Sequence, residues 1–183
     1  MVTISTVGHG TLPADEFARL VAEADIEVVV DVRSFPASRR HPQFAREAME
    51  RWLPDADMAY RWEPRLGGRR RPRPDSPHGG LRVPAFRGYA DHMETPEFQD
   101  AVQDLLAEAG ARRTTVMCAE SVWWRCHRRL VADAIVLLRG AAVEHLFHDG
   151  RLEPHRPTPE ARVDGRRIVY DGGERELPLR DSP

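Results

Sequence analysis

Four short apolar runs constrain the fold of this chain more than any other feature of its sequence. They are Thr3 to Val7, Ile26 to Val32, Thr114 to Cys118 and Ala142 to Phe147, and the first three are rich in β-branched residues. Runs of this length with few polar residues are typical of strands that are covered on both faces, as in a parallel sheet. The sequence therefore predicts an α/β fold with a mostly parallel sheet.

Between these runs, apolar residues recur at the spacing of a helix. Thr95 and Pro96 are typical of a helix start, and Gly140 is typical of a helix end. We predict helices at residues 13–24, 44–53, 86–93, 95–110 and 123–138, and a brief strand at 60–62. The first strand, helix and second strand predict a βαβ unit.

The alternation of strands and helices predicts a single three-layer, Rossmann-like domain over residues 1–148. Residues 149–183 are polar and rich in proline. We expect a polar C-terminal tail there, with a short hairpin around Val163 to Arg166.

The composition argues against a membrane protein and against an exported one. The chain has 183 residues, of which 41% are hydrophobic and 31% charged, and this balance is ordinary for one soluble domain. The longest apolar run, Ala134 to Leu138, is too short to span a bilayer, and Met1 to Ile4 lacks the features of a signal peptide. With only two cysteines, we expect free thiols, a cytoplasmic location and no membrane partner.

Arginine supplies every basic charge of the chain, and the positions of the arginines matter more than their number. The net charge is −2, but six arginines crowd residues 61–73, where only Glu63 opposes them. The stretch from Pro64 to Pro84 is rich in proline and glycine, so we expect a mobile surface loop. Its arginines are either a solvated face or a lid over an anionic substrate.

Polar groups follow three of the predicted strands. Gly8-His9-Gly10 comes after the first, Arg33 to Arg39 after the second, and Cys118 to Ser121 after the third. Because the carboxyl ends of parallel strands lie along one edge of a sheet, where ligands bind, we expect these groups to meet. The sequence therefore predicts a site at this edge.

The last predicted helix brings a further side chain to the same edge. Helical spacing places His127 at the start of the core-facing stripe, near Cys118 and Glu120. Arg128 and Arg129 fall on more exposed sides. His127 is therefore the residue of this helix that we expect to face the predicted site.

Glu120 is our preferred candidate for acid/base catalysis. A carboxylate beside Trp123 and Trp124, partly desolvated, would have a raised pKa suited to proton transfer at neutral pH. In the alternative interpretation, Glu120 only pairs with Arg33 or Arg128 and holds the loops together.

Cys118 is the candidate nucleophile. Arg125, Arg128 and the N-terminus of the following helix would each favour its thiolate. However, a cysteine at the end of a strand is often a small buried apolar residue. The spacing also lacks a phosphatase-type cysteine loop and the compact, glycine-containing cysteine loop of rhodaneses. For these reasons we prefer Glu120.

The arginines and tryptophans at this edge suit an anionic ligand that carries a base. Arg33 and Arg39, with Arg128, would orient a phosphate or a carboxylate. Trp123 or Trp124 would stack on a nucleobase. These side chains point to a nucleotide-like or nucleic-acid-derived anion.

We therefore expect an enzyme that acts on such an anion by hydrolysis or group transfer. Glu120 would be the acid/base, and His9 and His127 would polarise the substrate or relay protons. A different class is a non-catalytic nucleic-acid-binding module that uses the arginines from Arg65 to Arg73 and binds more weakly as salt rises.

A third interpretation is a metal site. Cys118, Cys126 and His127 would bind zinc or iron, with His9 or His145 as a fourth ligand. The adjacent cysteine and histidine lack the usual spacing of zinc ligands. The two cysteines would otherwise form a redox disulfide.

The spaced motifs resemble those of a known family. They are Thr6-Val7-Gly8-His9-Gly10, Asp31-Val32-Arg33 followed by Pro36 and Ser38-Arg39, Leu66-Gly67-Gly68, Cys118-Ala119-Glu120 and Cys126-His127-Arg128. Over residues 1–148 the chain resembles the Domain of Unknown Function 488 family, which implies a cytosolic α/β domain without an established activity. Through these motifs Ser38, Gly67 and Gly68 join the binding candidates. The family usually has serine or threonine where this chain has Gly10, so we expect no hydroxyl chemistry there.

Overall fold

A six-stranded sheet runs through the computed structural model, which describes residues 2–172. Its strands are β1 (Thr3–Gly8), β2 (Val28–Asp31), β3 (Ala59–Trp62), β4 (Thr114–Cys118), β5 (Ala142–Leu146) and β6 (Leu152–Pro154). They follow the order β3-β2-β4-β1-β5-β6, and every neighbouring pair is parallel except β5 and β6. The predicted mostly parallel sheet is confirmed, although β4 lies between the two strands of the predicted βαβ unit.

Five α-helices in the described residues cover both faces of this sheet. They are α1 (Ala14–Glu23), α2 (Arg46–Asp55), α3 (Pro84–Met93), α4 (Pro96–Ala111) and α5 (Arg128–Arg139). Successive side chains of β2 alternate between the faces, because Val28 and Val30 pack with the core of α3, α4 and α5, whereas Val29 packs with that of α1 and α2. The predicted three-layer arrangement is therefore confirmed.

The register of the parallel strands places their carboxyl ends at one edge of the sheet. Gly8 is paired with Cys118, and Asp31 is paired with Met117 on one side and Trp62 on the other. The loops that follow β1, β2 and β4 therefore leave the sheet side by side.

The ends of the helices follow local sequence signals except at the start of α5. Thr95 Oγ1 accepts a backbone N–H of the first turn of α4 at 3.3 Å, and Gly140, with a φ of 65°, ends α5. The predicted start of α5 at residue 123 is wrong. A 3₁₀ turn covers Trp123–Arg125 and Cys126 is extended, which interrupts the helical hydrogen bonds, so α5 begins at Arg128.

The segment between β3 and α3 contains no α-helix or strand, but it is packed against the domain. Leu66, His78 and Leu81 are buried, and the Gly80 N–H donates to Tyr170 O at 2.7 Å. These contacts involve partners far away in sequence. Much of the predicted surface loop is therefore held against the core.

The C-terminal residues complete the same core. β6 extends the sheet, and β7 (Ala161–Asp164) and β8 (Arg167–Tyr170) form the predicted hairpin. Ile168 and Tyr170 are buried with the side chains of α4 and α5. Within the stretch predicted as a polar tail from residue 149, β8 is thus an apolar strand that packs on the domain. The rest of the predicted tail, residues 173–183, lies outside the described residues. No helix within residues 2–172 is long and apolar enough to cross a membrane.

Candidate active site

A pocket of about 870 Å³ lies at the carboxyl edge of the sheet, among the loops that follow β1, β2 and β4. All four catalytic candidates line it, and so do three of the binding candidates, Arg33, Ser38 and Gly68. Its wall also contains side chains that we did not assign to substrate binding from the sequence: Ser34, Phe35, His41, Arg69, Phe86 and Arg125. The binding candidates Arg39, Gly67, Trp123 and Arg128 do not line it.

Cys118, Cys126 and His127, here called the pocket cluster, form the floor of this pocket. Cys126 Sγ lies 3.6 Å and Cys118 Sγ 4.0 Å from His127 Nδ1, and the three atoms lie within 4.8 Å of one another. His127 Nε2 lies 3.1 Å from Val32 O, which can only accept a hydrogen bond. Nε2 therefore carries a proton, and in the neutral ring the lone pair of Nδ1 faces the two sulfurs.

The two thiols of the pocket cluster have pKa values shifted in opposite directions. A hydrogen bond from Cys118 lowers the pKa of the Cys126 thiol well below its ordinary value, and the neighbouring His127 and Arg128 act in the same direction. The pKa of Cys118 is raised, because its hydrogen bond to Cys126 and its burial both disfavour a second thiolate. The contact between the two sulfurs therefore favours ionisation of Cys126 over ionisation of Cys118.

Arg128 is buried beside the pocket cluster, so the prediction that it is exposed is wrong. Its side chain is 1% exposed, its Nη1 donates to Thr6 Oγ1 at 3.3 Å, and its Nη2 donates to Glu120 O. No carboxylate pairs with it among the described residues. The cause is the late start of α5, which puts Arg128 in the first turn, against the sheet edge. Arg128 therefore supplies a positive charge beneath the pocket, but it does not line the pocket.

Two glycines allow the pocket loops to approach one another closely. A Cβ at Gly8 would collide with the backbone of Glu120, so the loop after β4 can lie directly on β1. A Cβ at Gly68 would collide with the ring of His127. Gly67, its neighbour, lies against Ser34 instead.

Arg33 is bound to its own strand end. Its Nε and Nη2 donate to the two oxygens of Asp31 at 2.9 and 2.6 Å, and Nη2 also donates to Phe44 O at 2.7 Å. Nη1 donates to His9 Nε2 at 3.3 Å. The expectation that Arg33 grips an anion with two nitrogens is therefore wrong, since Asp31 occupies that side of the guanidinium.

His9 holds this arrangement in place and is neutral at neutral pH. Burial lowers the pKa of His9 from 6.5 to about 4. Its Nδ1–H donates to Gly10 O at 2.9 Å, and its ring stacks on Phe44 at 4.1 Å. Both ring nitrogens are thus engaged, which argues against the predicted proton relay through His9.

Glu120 lies at the rim of the pocket and its side chain is exposed. The predicted partial desolvation beside the tryptophans is therefore wrong. Its Oε1 accepts the Val122 N–H at 3.1 Å, and it forms no ion pair with Arg33 or Arg128, which was the alternative. The side chain remains accessible from the pocket.

The tryptophans do not offer their rings to the pocket. The Trp123 ring stacks on His145 with centroids 4.0 Å apart and planes 7° apart, so the expectation that Trp123 stacks on a nucleobase is wrong. Trp124 is exposed outside the pocket. The aromatic rings in the wall are Phe35, which is 68% exposed and lies 5.4 Å from the guanidinium of Arg69, and Phe86.

Three of the six arginines in the arginine-rich segment are neutralised by carboxylates, most of which come from α3 and α4. Its ion pairs are Arg61 with Glu63 and Glu108, Arg65 with Glu63 and Asp104, and Arg73 with Asp91 and Glu94, at 2.7 to 3.4 Å. Arg69 forms no ion pair among the described residues and reaches the pocket. Arg39 is exposed outside the pocket.

Next to the pocket lies a second group of polar side chains, here called the buried cluster: Asp133, His145, His155, Thr158 and Tyr170. Thr6 Oγ1 donates to His145 Nδ1 at 2.7 Å, His145 Nε2 to His155 Nδ1 at 2.9 Å, and His155 Nε2 to Asp133 at 2.9 Å. Burial lowers the pKa of His145 from 6.5 to about 3. Because both its nitrogens are engaged, His145 is not the predicted fourth metal ligand.

The fold and the site together define a three-layer α/β protein with a pocket at the carboxyl edge of its sheet. A family model described as Domain of unknown function DUF488 matches residues 13–135, and the chain therefore belongs to that family, as its motifs indicated. The matched residues contain most of the pocket but begin after His9. No curated protein and no solved structure matched the chain.

Proposed function

We propose that the protein is an enzyme that binds a nucleotide-like anion in the pocket at the sheet edge and acts on it by hydrolysis or group transfer. The observation that carries this proposal is the charge of the pocket wall. Three arginines, Arg33, Arg69 and Arg125, line the pocket together with one carboxylate, Glu120. A concave site of this sign attracts anions.

Arg69 and Arg125 contribute more to this attraction than Arg33 does. Asp31 neutralises Arg33, whereas Arg69 and Arg125 form no ion pair with a carboxylate in residues 2–172. Both are exposed, so their guanidinium groups can turn to a ligand and bind two of its oxygens. Phe35 beside Arg69 offers an apolar face to the ring of a nucleotide-like ligand.

Glu120 is the proposed acid/base of the reaction. Its carboxylate is exposed at the rim and only one of its oxygens accepts a backbone hydrogen bond, so the other is available for proton transfer. His127 at the floor is the second group that can interact with substrate, since its Nδ1 has no strong donor among the described residues.

The non-catalytic nucleic-acid-binding alternative has less support. It depends on a dense positive charge along Arg65 to Arg73, and the carboxylates of α3 and α4 pair with Arg65 and Arg73. Phosphate contacts require arginines that are free to exchange counterions. Of the arginines between Arg65 and Arg73 that form no ion pair in the described residues, Arg69 lines the pocket and Arg70 donates to the carbonyls of Gly67 and Arg65, which leaves Arg71.

Ligand-dependent thermal unfolding tests the binding half of the proposal. Inorganic phosphate, nucleoside monophosphates and nucleoside triphosphates are added separately, and we expect at least one nucleotide to raise the Tm more than phosphate does. Arg125→Gln and Arg69→Gln should each weaken this ligand about tenfold, as expected for one charge-assisted contact. Arg51→Gln, an exposed arginine on α2 outside the pocket, is the matched control and should bind as the unsubstituted protein does.

The proposal is wrong if none of these anions raises the Tm, or if both pocket variants bind as tightly as the control. The catalytic part of the proposal is tested by incubating the protein with the bound nucleotide and measuring any products formed. A folded Glu120→Gln variant that keeps full turnover would remove Glu120 from the acid/base role and leave the binding pocket intact.

A further inference from the structure

We infer that the pocket cluster is a binding site for a divalent metal ion of the zinc class, with Cys118 Sγ, Cys126 Sγ and His127 Nδ1 as ligands and a fourth coordination position open to the pocket. The inference deepens the proposed function, because the metal would lie at the floor of the proposed substrate pocket. Two thiolates and one imidazole are ligands that zinc accepts in catalytic sites.

The distances within the pocket cluster fit a tetrahedral ion. Zinc–sulfur bonds of about 2.3 Å and zinc–nitrogen bonds of about 2.05 Å at tetrahedral angles place sulfur and nitrogen roughly 3.6 Å apart. Cys126 Sγ is 3.6 Å from His127 Nδ1, and Cys118 Sγ is 4.0 Å from it. An ion therefore requires changes of only a few tenths of an ångström in the two sulfur–nitrogen distances. The two sulfurs, which lie within 4.8 Å of each other, would approach to about 3.8 Å.

The ring of His127 is oriented as a metal ligand would be. Its Nε2–H donates to Val32 O at 3.1 Å, which directs the lone pair of Nδ1 at the sulfurs. The backbone at Gly68 lies against one side of the ring, and Tyr89 packs 5.1 Å from its centroid. The ligand is thus held by a backbone hydrogen bond and by packing before any ion arrives.

Charge and burial also favour a thiolate site over a neutral one. Cys118, Cys126 and His127 are 9%, 5% and 8% exposed, so an ion here exchanges nearly all its water for protein ligands. The positive charge of nearby Arg128 opposes any added cation. Two thiolates offset a divalent charge, whereas neutral ligands would leave two cationic groups side by side.

The open fourth position distinguishes this site from a structural one. No other histidine, cysteine or carboxylate of the described residues joins the pocket cluster. The nitrogens of His9 and His145, the two side chains we considered from the sequence, are engaged elsewhere. A water or a substrate oxygen would occupy the remaining position, and a metal there would polarise an anionic substrate bound to the arginines.

The test is metal content, measured on untagged, full-length protein purified without chelators from cells grown with added Zn(II). We expect roughly one zinc per chain by elemental analysis, as for a single three-ligand site. The metal-free protein should also take up Co(II) and develop thiolate-to-cobalt absorption in the near ultraviolet. This readout reports sulfur ligation directly and does not depend on activity.

Substitutions assign the ligands. Cys118→Ala, Cys126→Ala and His127→Asn should each lose the bound zinc, and the two cysteine variants should weaken the near-ultraviolet cobalt absorption. His41→Gln changes a pocket histidine outside the cluster, so this matched control should retain both signals. Circular dichroism shows whether each variant is folded, and a cysteine variant that unfolds is replaced by the isosteric Cys→Ser.

Three results would overturn the inference. They are protein that binds neither Zn(II) nor Co(II), metal that survives the loss of a cysteine, and a Cys118–Cys126 disulfide in protein that takes up no metal after reduction. The disulfide result would indicate that the two cysteines are a redox dithiol and not metal ligands. Anion binding by the Arg125→Gln and Arg69→Gln series is measured without metal, so the metal site and the proposed function can fail separately.

Discussion

The pocket cluster and the buried cluster are neighbours, and both contain buried histidines, but the hydrogen bonds of those histidines differ. In the buried cluster both nitrogens of His145 and of His155 are engaged, and Asp133 accepts bonds from His155, Thr158 and Tyr170. In the pocket cluster, one nitrogen of His127 is engaged and the other faces two sulfurs.

This difference separates a structural role from a functional one. A buried polar group that has all its partners stabilises a fold and has no capacity left for a ligand. A buried polar group that lacks a strong hydrogen-bond partner and faces a pocket is available to bind a ligand. Residue type alone does not distinguish His127 from His145. The partners of each ring do.

Substitution of Asp133 should have the largest effect. Asp133→Ala leaves His155, Thr158 and Tyr170 without their acceptor, and we expect a loss of about 3–5 kcal/mol in the free energy of unfolding. In metal-free protein, Cys126→Ala should lose only about 1 kcal/mol, because it removes a small side chain with weak hydrogen bonds. Urea unfolding measures both. Equal losses would show that the pocket cluster is as structural as its neighbour.

Acid should weaken the fold through His145. Its pKa is lowered from 6.5 to about 3 in the fold, since burial and the adjacent His155 and Arg128 disfavour its charge. The stabilisation is therefore complete above pH 6.5 and is lost progressively as the pH falls towards 3, because the unfolded chain takes up the proton first. At pH 4.5 the loss amounts to roughly 3 kcal/mol.

The control for this prediction is His145→Gln, which does not titrate. Its unfolding free energy should decline less between pH 6.5 and pH 4.5 than that of the unsubstituted protein, whatever its stability at neutral pH. Parallel pH profiles for the two proteins would exclude His145 as the source of acid sensitivity.

Gly68→Ala should disturb the pocket cluster with a smaller effect on stability. The added Cβ would collide with the His127 ring, and we expect a loss of about 1–3 kcal/mol together with weaker metal binding. Gly79→Ala is the matched control, since a Cβ there meets nothing within 4 Å, and it should be tolerated. Metal binding that is unchanged in Gly68→Ala would mean that the orientation of His127 does not matter.

Local patterns predicted the sheet and the position of His127. Apolar runs of strand length, such as Ile26 to Val32, identify buried strands because a parallel sheet is covered on both faces. Parallel strands bring their carboxyl ends together, so the convergence of His9, Cys118 and Glu120 at one edge follows from connectivity. These features depend on neighbours in sequence and on the general geometry of parallel sheets.

Charge interactions could not be predicted in the same way. The segment around Arg65 is dense in arginine, but Asp104 lies 39 positions further along the chain and neutralises it only when α4 packs beside the segment. Conversely, Arg128 was expected to be exposed. The extended backbone at Cys126 shifts the start of α5 and turns Arg128 inwards.

The sequence by itself determined the α/β class, the parallel sheet and the edge at which polar groups meet, because these depend on local periodicity and chain direction. The tertiary structure alone decided which of those groups are available. It joins His9 to Arg33 and His145 to Thr6 and His155, exposes Glu120, and leaves Cys118, Cys126 and His127 facing the pocket. The reason is physical, since the partners of a polar side chain are set by what packs against it, and those residues come from anywhere in the chain.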